Sequence, residues 1–237
     1  SKRYYPVART YPSTRVGWYR RVFELSKEDA AKRITIEFDG SYRESMVVFN
    51  GYYITRHSGG YDPFTVDVTD FANPGGKNVL LVRVDATSSD GWFYEGAGIY
   101  RHVWLVKTNP VHVKQWGTFV ASEVKPGQAT LSIKTEVANH GQESAGTRVI
   151  STVLEPAGKE VCKSVSPLAA IAAGSEETYS QQVVVKQPQL WSLEERNLYR
   201  LITEIRAGNN LVDRYETRFG IRTIRFDAAK GLFVNDK

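Results

Sequence analysis

Period-two alternation is the feature that most constrains how this chain can fold. Ile34-Thr35-Ile36-Glu37-Phe38, Phe64-Thr65-Val66-Asp67-Val68 and Leu131-Ser132-Ile133-Lys134 each alternate apolar and polar residues. Successive side chains of a strand point to opposite faces, so each of these segments has one dry and one wet face. Residues 46–49, 103–106 and 183–185 are apolar throughout, and 79–84 is apolar on both faces apart from Arg83, which suits central strands covered on both sides.

Turn chemistry separates these runs. Asn50-Gly51 lies between two apolar runs, and both residue types accept the positive φ of a tight hairpin. Asn73-Pro74-Gly75-Gly76, Lys125-Pro126-Gly127, Asn139-His140-Gly141 and Gly208-Asn209-Asn210 break the chain further. Only residues 26–32 read as helical, with Ser26 as the cap and Asp29 at the third helical position, giving about two turns. The expected class is all-β.

A domain boundary is expected at Asn109-Pro110. Before it the strands are dense in aromatics, and residues 85–100 form a long Ser/Gly-rich loop. After it come about seven short strands, the number in an immunoglobulin-like sandwich. The absence of a Cys…Trp…Cys pattern excludes a true antibody domain. Trp18 and Trp104 are expected in the core of the first domain, with Trp191 near the end of the second.

Several function classes are excluded. The longest small-residue apolar run, 168–173, is far below the ~18 residues of a membrane helix. Net charge is +5, with Lys+Arg against Asp+Glu at 15 to 12 up to Pro110 and 16 to 14 beyond it. No basic run grips a phosphate backbone, so neither nucleic acid nor membrane is an expected partner. Cys162 is the single cysteine, which removes a disulfide framework and any multi-cysteine zinc site. His57, His102, His112 and His140 have no metal-ligand spacing, and Gly96-Ala97-Gly98 lacks the third glycine and following helix of a dinucleotide fingerprint. No serine sits in a nucleophile elbow. No metal, cofactor or catalytic residue is therefore assigned.

One stretch carries recognition chemistry. Ser88-Ser89-Asp90-Gly91-Trp92-Phe93-Tyr94-Glu95-Gly96 places three aromatics and two acids in a Gly-flanked loop. Aromatic faces cover the apolar C–H faces of sugars while carboxylates accept their hydroxyl hydrogen bonds. Asp90, Trp92, Tyr94 and Glu95 are the candidate sugar contacts. The competing reading makes the three rings a plug at one end of a sandwich.

Several motifs, in order, resemble glycoside hydrolase family 2, the β-galactosidase and β-glucuronidase family. Gly17-Trp18-Tyr19-Arg20-Arg21-Val22-Phe23 is similar to the opening of its sugar-binding domain, and Phe38-Asp39-Gly40 with Val47-Val48-Phe49-Asn50-Gly51 to its hairpin. Gly60-Tyr61-Asp62-Pro63-Phe64 with Asp67-Val68-Thr69-Asp70, and the run from Glu95 through Gly98-Ile99-Tyr100-Arg101 to Leu105, resemble two further signatures. Leu190-Trp191-Ser192, Asn197-Leu198-Tyr199 and Arg218-Phe219-Gly220-Ile221-Arg222 resemble the end of its immunoglobulin-like domain.

The resemblance implies a jelly-roll-like β-sandwich over 1–109, an immunoglobulin-like β-sandwich over 110–223, and a lead-in to a (β/α)8 barrel over 224–237. The family's two catalytic glutamates belong to that barrel and are not in these residues. The implied protein is a non-catalytic N-terminal portion of a retaining glycosidase, with the barrel of its own chain and a β-galactoside-type carbohydrate as partners.

The family often places a sugar-contacting Asn upstream of Gly17, and residues 1–16 hold none. Either Asp90 or Glu95 can take the place of the acid that reaches the non-reducing sugar in β-galactosidases. The segment 90–95 favours a β-galactosidase parent over a β-glucuronidase or β-mannosidase one. A free-standing carbohydrate-binding or adhesion module is the alternative from another class, and a structural assembly module forming a homo-oligomer is a third. The chain opens at Ser1 rather than Met, and the resemblance points to the bacterial periplasm or secretion.

Overall fold

The computed structural model describes residues 16–87 and 97–237. The chain forms two compact units, Ser1–Thr108 and Asn109–Lys237. Both are built of antiparallel strands, so the all-β expectation holds.

The first unit contains β1 (Val16–Glu24), β2 (Arg33–Phe38), β3 (Ser41–Tyr42), β4 (Ser45–Phe49), β5 (Tyr52–His57), β6 (Phe64–Asp67), β7 (Lys77–Asp85), β8 (Gly98–Ile99) and β9 (Val103–Thr108). One sheet runs β1-β7-β4-β5 and another β6-β2-β9, while β3 pairs with β8. Alternation puts Ile34, Ile36 and Phe38 of β2, Val47 and Phe49 of β4, and Leu80, Val82 and Val84 of β7 into one buried cluster. Phe38 stacks on Phe64 with ring centroids 4.5 Å apart.

The hairpin forms where Asn50-Gly51 predicts it, with φ of 49° and 88°. Asn50 also acts through its side chain. Its Oδ1 accepts the Val79 N–H (2.7 Å), and its Nδ2 donates to the Phe71 carbonyl (2.8 Å) and to Asn78 Oδ1 (2.8 Å). Asn78 is fully buried. Its Oδ1 also accepts from the Asn73 N–H (2.8 Å), and its Nδ2 donates to the carbonyls of Asn73 (3.0 Å) and Gly76 (3.1 Å).

The helical expectation at 26–32 is met by five residues of 3₁₀ helix, Lys27–Ala31, rather than two α-turns. The Asp29 carboxylate holds it, accepting the Ser26 N–H (2.8 Å) and the Lys107 ammonium (2.6 Å). The segment is too short to propagate as an α-helix, so a side-chain cap and an ion pair from the helix to β9 take over.

Two expectations are corrected here. Trp18 and Trp104 are not core residues; they are 61% and 50% exposed. Trp104 pairs across from Glu37, so it faces outward, and Trp18 pairs across from Arg83. Val103 and Leu105 share the face of buried Phe38 and Ile36, but on this edge strand they line an open cavity and stay 37% and 39% exposed. The apolar runs 103–106 and 183–185 lie on strands at sheet edges, whereas 46–49 and 79–84 are central as expected.

The second unit contains β10 (Val111–Lys125), β11 (Gln128–Asn139), β12 (Ala145–Leu154), β13 (Glu160–Val165), β14 (Ala169–Ile171), β15 (Glu176–Lys186), β16 (Tyr199–Ala207), β17 (Asn210–Phe219), β18 (Ile224–Asp227) and β19 (Gly231–Val234). The sheet β10-β11-β15 faces β13-β12-β16-β17, with β14 pairing β12, and β18 and β19 form a separate hairpin. Several strands exceed ten residues rather than being short. The core holds Leu131, Ile133, Val153, Leu201 and Tyr199 in one cluster and Val113, Val137, Val149 and Ile205 in another. Some buried polar groups are paired, with Thr147 Oγ1 2.5 Å from Tyr179 Oη and Ser151 donating to Gln181 Oε1 (2.7 Å), whereas the buried hydroxyls of Thr135 and Thr203 have no hydrogen-bond partner among the described residues. At one end the half-buried Trp191 packs against Gly220 and under the Arg222 guanidinium, and its carbonyl accepts Asn235 Nδ2 (2.9 Å).

The exposure contrast sets an expected pair of stabilities. Phe38→Ala removes a fully buried ring and should cost about 3–5 kcal/mol. Trp104→Ala should cost no more than about 1 kcal/mol, because its ring is half in water. Urea unfolding of both variants measures this, and equal losses would refute the assigned phase of β9.

Candidate functional site

The candidate sugar contacts Asp90, Trp92, Tyr94 and Glu95 lie outside the described residues. What is described is how their loop is held at both ends.

On the near side, the Asp85 N–H donates to the Arg43 carbonyl (3.0 Å), directly after β3. The Asp85 carboxylate accepts the Thr87 hydroxyl (2.6 Å), the Thr87 N–H (3.1 Å) and an Arg83 guanidinium N–H (2.8 Å). These donors, the Thr87 hydroxyl first, hold its pKa down to about 2. On the far side, Gly98 and Ile99 pair with Tyr42 and Ser41 of β3. Both ends of the loop are therefore tied to the short stretch 41–43. Gly98 has φ +103°, and a Cβ there would lie 2.2 Å from the Tyr19 hydroxyl. Tyr19 Oη accepts the Ile99 N–H (3.3 Å), so glycine is required both for the turn and for this approach.

Tyrosines surround these anchor points. Tyr100 packs over Gly40 and donates its hydroxyl to the Gly60 carbonyl (3.0 Å). Tyr42 packs against Gly60, and its ring lies 5.4 Å from that of Tyr61. Tyr61 and Tyr100 keep much of their rings in solvent. Nearby carboxylates have partners: Glu44 accepts from Arg56 (2.8 Å) and Ser58 (3.2 Å), and Asp62 lies 3.3 Å from His57 Nε2. The His57 ring stacks on Phe64 at 4.2 Å.

The sequence reading did not single out Tyr61 and Tyr100 as site residues. Both sit inside quoted motifs, but nothing local signals that Gly40, Gly60 and Gly98 bring their strands to one place. This arrangement of ring faces and hydrogen-bonded acids suits holding a polyol. Retaining hydrolysis needs something else, a pair of carboxyl groups about 5 Å apart with one kept protonated.

A separate apolar cavity of about 550 Å³ opens between the edge strands β1 and β9. Its walls include Tyr19, Phe23, Ile36, Phe38 and Leu105, with Arg20 and Arg21 as the charged groups and no carboxylate. No cluster of metal-ligating side chains occurs among the described residues. Burial pushes the Cys162 thiol up to about 11, which keeps it from being a nucleophile at neutral pH.

Residues 4–109 match the sugar-binding domain of the glycosyl hydrolases family 2, and residues 111–222 match a second domain of the same family. The chain belongs to glycosyl hydrolase family 2. It is 42% identical over 224 residues to the β-galactosidase BoGH2A of Bacteroides ovatus, covering 94% of this chain and 26% of that enzyme. It is 33% identical to a putative β-glucuronidase of Formosa agariphila, covering 93% of this chain and 20% of that one. The fold matches a family 2 glycosyl hydrolase of Bacteroides cellulosilyticus with a TM-score of 0.89 at 29% identity, covering 94% of this chain and 31% of that one. It matches a Bacteroides uniformis β-glucuronidase with a TM-score of 0.85 at 30% identity, covering 94% of this chain and 28% of that one. The chain thus spans between a fifth and a third of the length of these family members.

The anchors generate two expectations. Gly98→Ala forces a side chain into a left-handed position against Tyr19 and should cost about 2 kcal/mol or more, read by urea unfolding. A smaller loss would mean that the turn relaxes freely. For Asp85, a depressed folded-state pKa contributes stability above the ordinary carboxylate value of 3.8, lost as pH falls toward about 2. Stability measured down an acid series should decline over that window, and Asp85→Ala should flatten the decline.

Proposed function

We propose that this chain is the non-catalytic N-terminal portion of a retaining β-galactosidase, with the loop 88–96 of the first unit walling the site for the non-reducing sugar. The observation that carries this reading is the 42% identity to a β-galactosidase across nearly the whole chain. The pinned loop ends and their tyrosine rim support it, because a sugar-contacting loop must be held to a fraction of an ångström. Residues 224–237 lead into the catalytic barrel of the same polypeptide in this reading.

The two carboxylates of the reaction come from that barrel, so the 237-residue chain alone hydrolyses nothing. A β-glucuronidase parent is the second reading, favoured by the relatives and solved structures of that name. Joining these residues to the remainder of the Bacteroides ovatus enzyme permits the test. The chimera is expected to cleave a chromogenic β-galactoside in preference to the β-glucuronide, and the reverse preference overturns the galactosidase assignment.

Within the chimera, a charge-assisted hydrogen bond to a sugar hydroxyl is worth roughly 1.5–3 kcal/mol, so losing it should lower kcat/KM by about 10- to 150-fold. Asp90→Ala and Glu95→Ala are measured beside their melting curves. If neither changes kcat/KM beyond about twofold, the loop does not touch substrate. If both lower activity and melting temperature together, the loop is only a brace.

A further inference from the structure

A pair of rings stands at the outer face of the β6-β2-β9 sheet of the first unit. The His102 and Trp104 rings stack with centroids 5.0 Å apart and planes inclined by 28°. Trp104 is 50% exposed, and 74% of the His102 side chain is in water. Asp39 ties the two together. Its N–H donates to the His102 carbonyl (3.0 Å), its Oδ2 accepts the Trp104 Nε1–H (3.1 Å), and the same oxygen lies 3.5 Å from His102 Nδ1. No hydrogen bond reaches Oδ1 from the described residues. One carboxylate thus holds an edge of each ring and leaves ring surface in solvent.

The surroundings decide between a polypeptide and a polyol as the occupant. Arg33, Glu37 and Asp67 share the outward rows of this sheet with three threonines, and Val106 is the other apolar side chain there. The buried centre of a protein interface is depleted of charge, and this face is not. Glu37 lies directly across from Trp104, so two carboxylates, Asp39 and Glu37, border the rings from the β2 side. Aromatic surface beside hydroxyl-accepting acids is the composition of a sugar subsite, in which C–H groups rest on the rings and hydroxyls donate to the carboxylates. The cavity beside β9, whose mouth Trp104 also borders, has no carboxylate to accept a hydroxyl.

We propose that Trp104, His102 and Asp39 form a carbohydrate subsite of their own, beyond the loop 88–96, that takes one pyranose unit of a β-galactan. Membership of the first unit in a sugar-binding domain family makes a carbohydrate the class of ligand. Galactose is the best match to the rings. Its axial 4-hydroxyl gathers the hydrogens of C3, C4 and C5 on one face, which gives an apolar patch suited to indole, while its equatorial hydroxyls point outward toward an acceptor such as Asp39 Oδ1.

Titration calorimetry of the 237-residue chain with soluble β-1,4-galactan tests this. Binding is expected, and Trp104→Ala should weaken it by about fivefold or more. His102→Ala removes a ring that lies outside the core, so it leaves the fold intact, and it should weaken binding by about threefold or more. Trp104→Phe keeps a ring without the indole N–H and should stay within about threefold of the unaltered chain, a rescue that damage to the fold would not show. Dextran, an α-linked glucan, should bind at least about fivefold more weakly than the galactan. Four results overturn the proposal: no binding by the unaltered chain, unchanged binding in both Trp104→Ala and His102→Ala, equal binding of dextran, or loss of binding in Asp90→Ala or Glu95→Ala while both ring variants bind normally. The titration needs no catalytic barrel. Its failure therefore leaves the galactosidase reading standing, and a chimera that prefers the glucuronide overturns that reading without touching the subsite.

Discussion

The arrangement of the first unit depends on the register of β4 against β7, and that register is fixed by one side-chain amide. Asn50 turns the hairpin and reaches across to the Val79 N–H, so β4 cannot slide on β7 without breaking the bond. A slip of one residue would turn Val47 and Phe49 toward water and break the core cluster. Asn78 completes the lock beneath it, with all four of its side-chain hydrogen-bonding positions satisfied although no water reaches it. Leaving such a group unpaired costs about 1–3 kcal/mol, which opposes any alternative pairing. The asparagine of the family-like hairpin motif is therefore a structural device.

The other end of the unit obeys a different constraint. Here β3 is only two residues long, yet it and the adjoining Arg43 receive both ends of the loop that was singled out for its acids and rings. Contacts with tyrosines replace a long ladder: Tyr19 over Gly98, Tyr100 over Gly40, Tyr42 over Gly60. Each pairs a ring with a residue that has no side chain. This lets the backbones approach closely and leaves ring faces at the rim. Binding and bond cleavage are thereby separable tasks, one resting on rigid ring surface and the other on paired carboxyls with shifted proton affinities.

The strands were legible because alternation and Asn-Gly chemistry act locally. The phase of β9 was not, because Val103-Trp104-Leu105-Val106 is apolar on both faces, and only its pairing with Ile36 and Phe38 turns Leu105 and Val103 inward. Similarly, Tyr61 and Tyr100 gave no signal as neighbours, since a long-range hydrogen bond to Gly60 unites them. The 3₁₀ turn at Thr69–Phe71 was missed because it is held by tertiary contacts, with Thr69 Oγ1 accepting the Ile34 N–H and the Phe71 carbonyl accepting Asn50 Nδ2. Trp116 lies at a bulge that no periodicity announces, because the register slip exists only relative to β11.

The Asn50-Gly51 pair also governs how the protein ages. Spontaneous deamidation proceeds when the nitrogen of a following glycine attacks the asparagine side-chain carbonyl, and a flexible Asn-Gly step offers little steric resistance to it. In the folded unit that carbonyl is held by Val79, and the leaving nitrogen is held by Phe71 and Asn78. Conversion to aspartate would replace a donor with an oxygen facing two other oxygens. Chemical lifetime at this position is thus tied to the fraction of time the first unit spends folded, and each opening of the hairpin exposes the chain to a change that opposes its closing again.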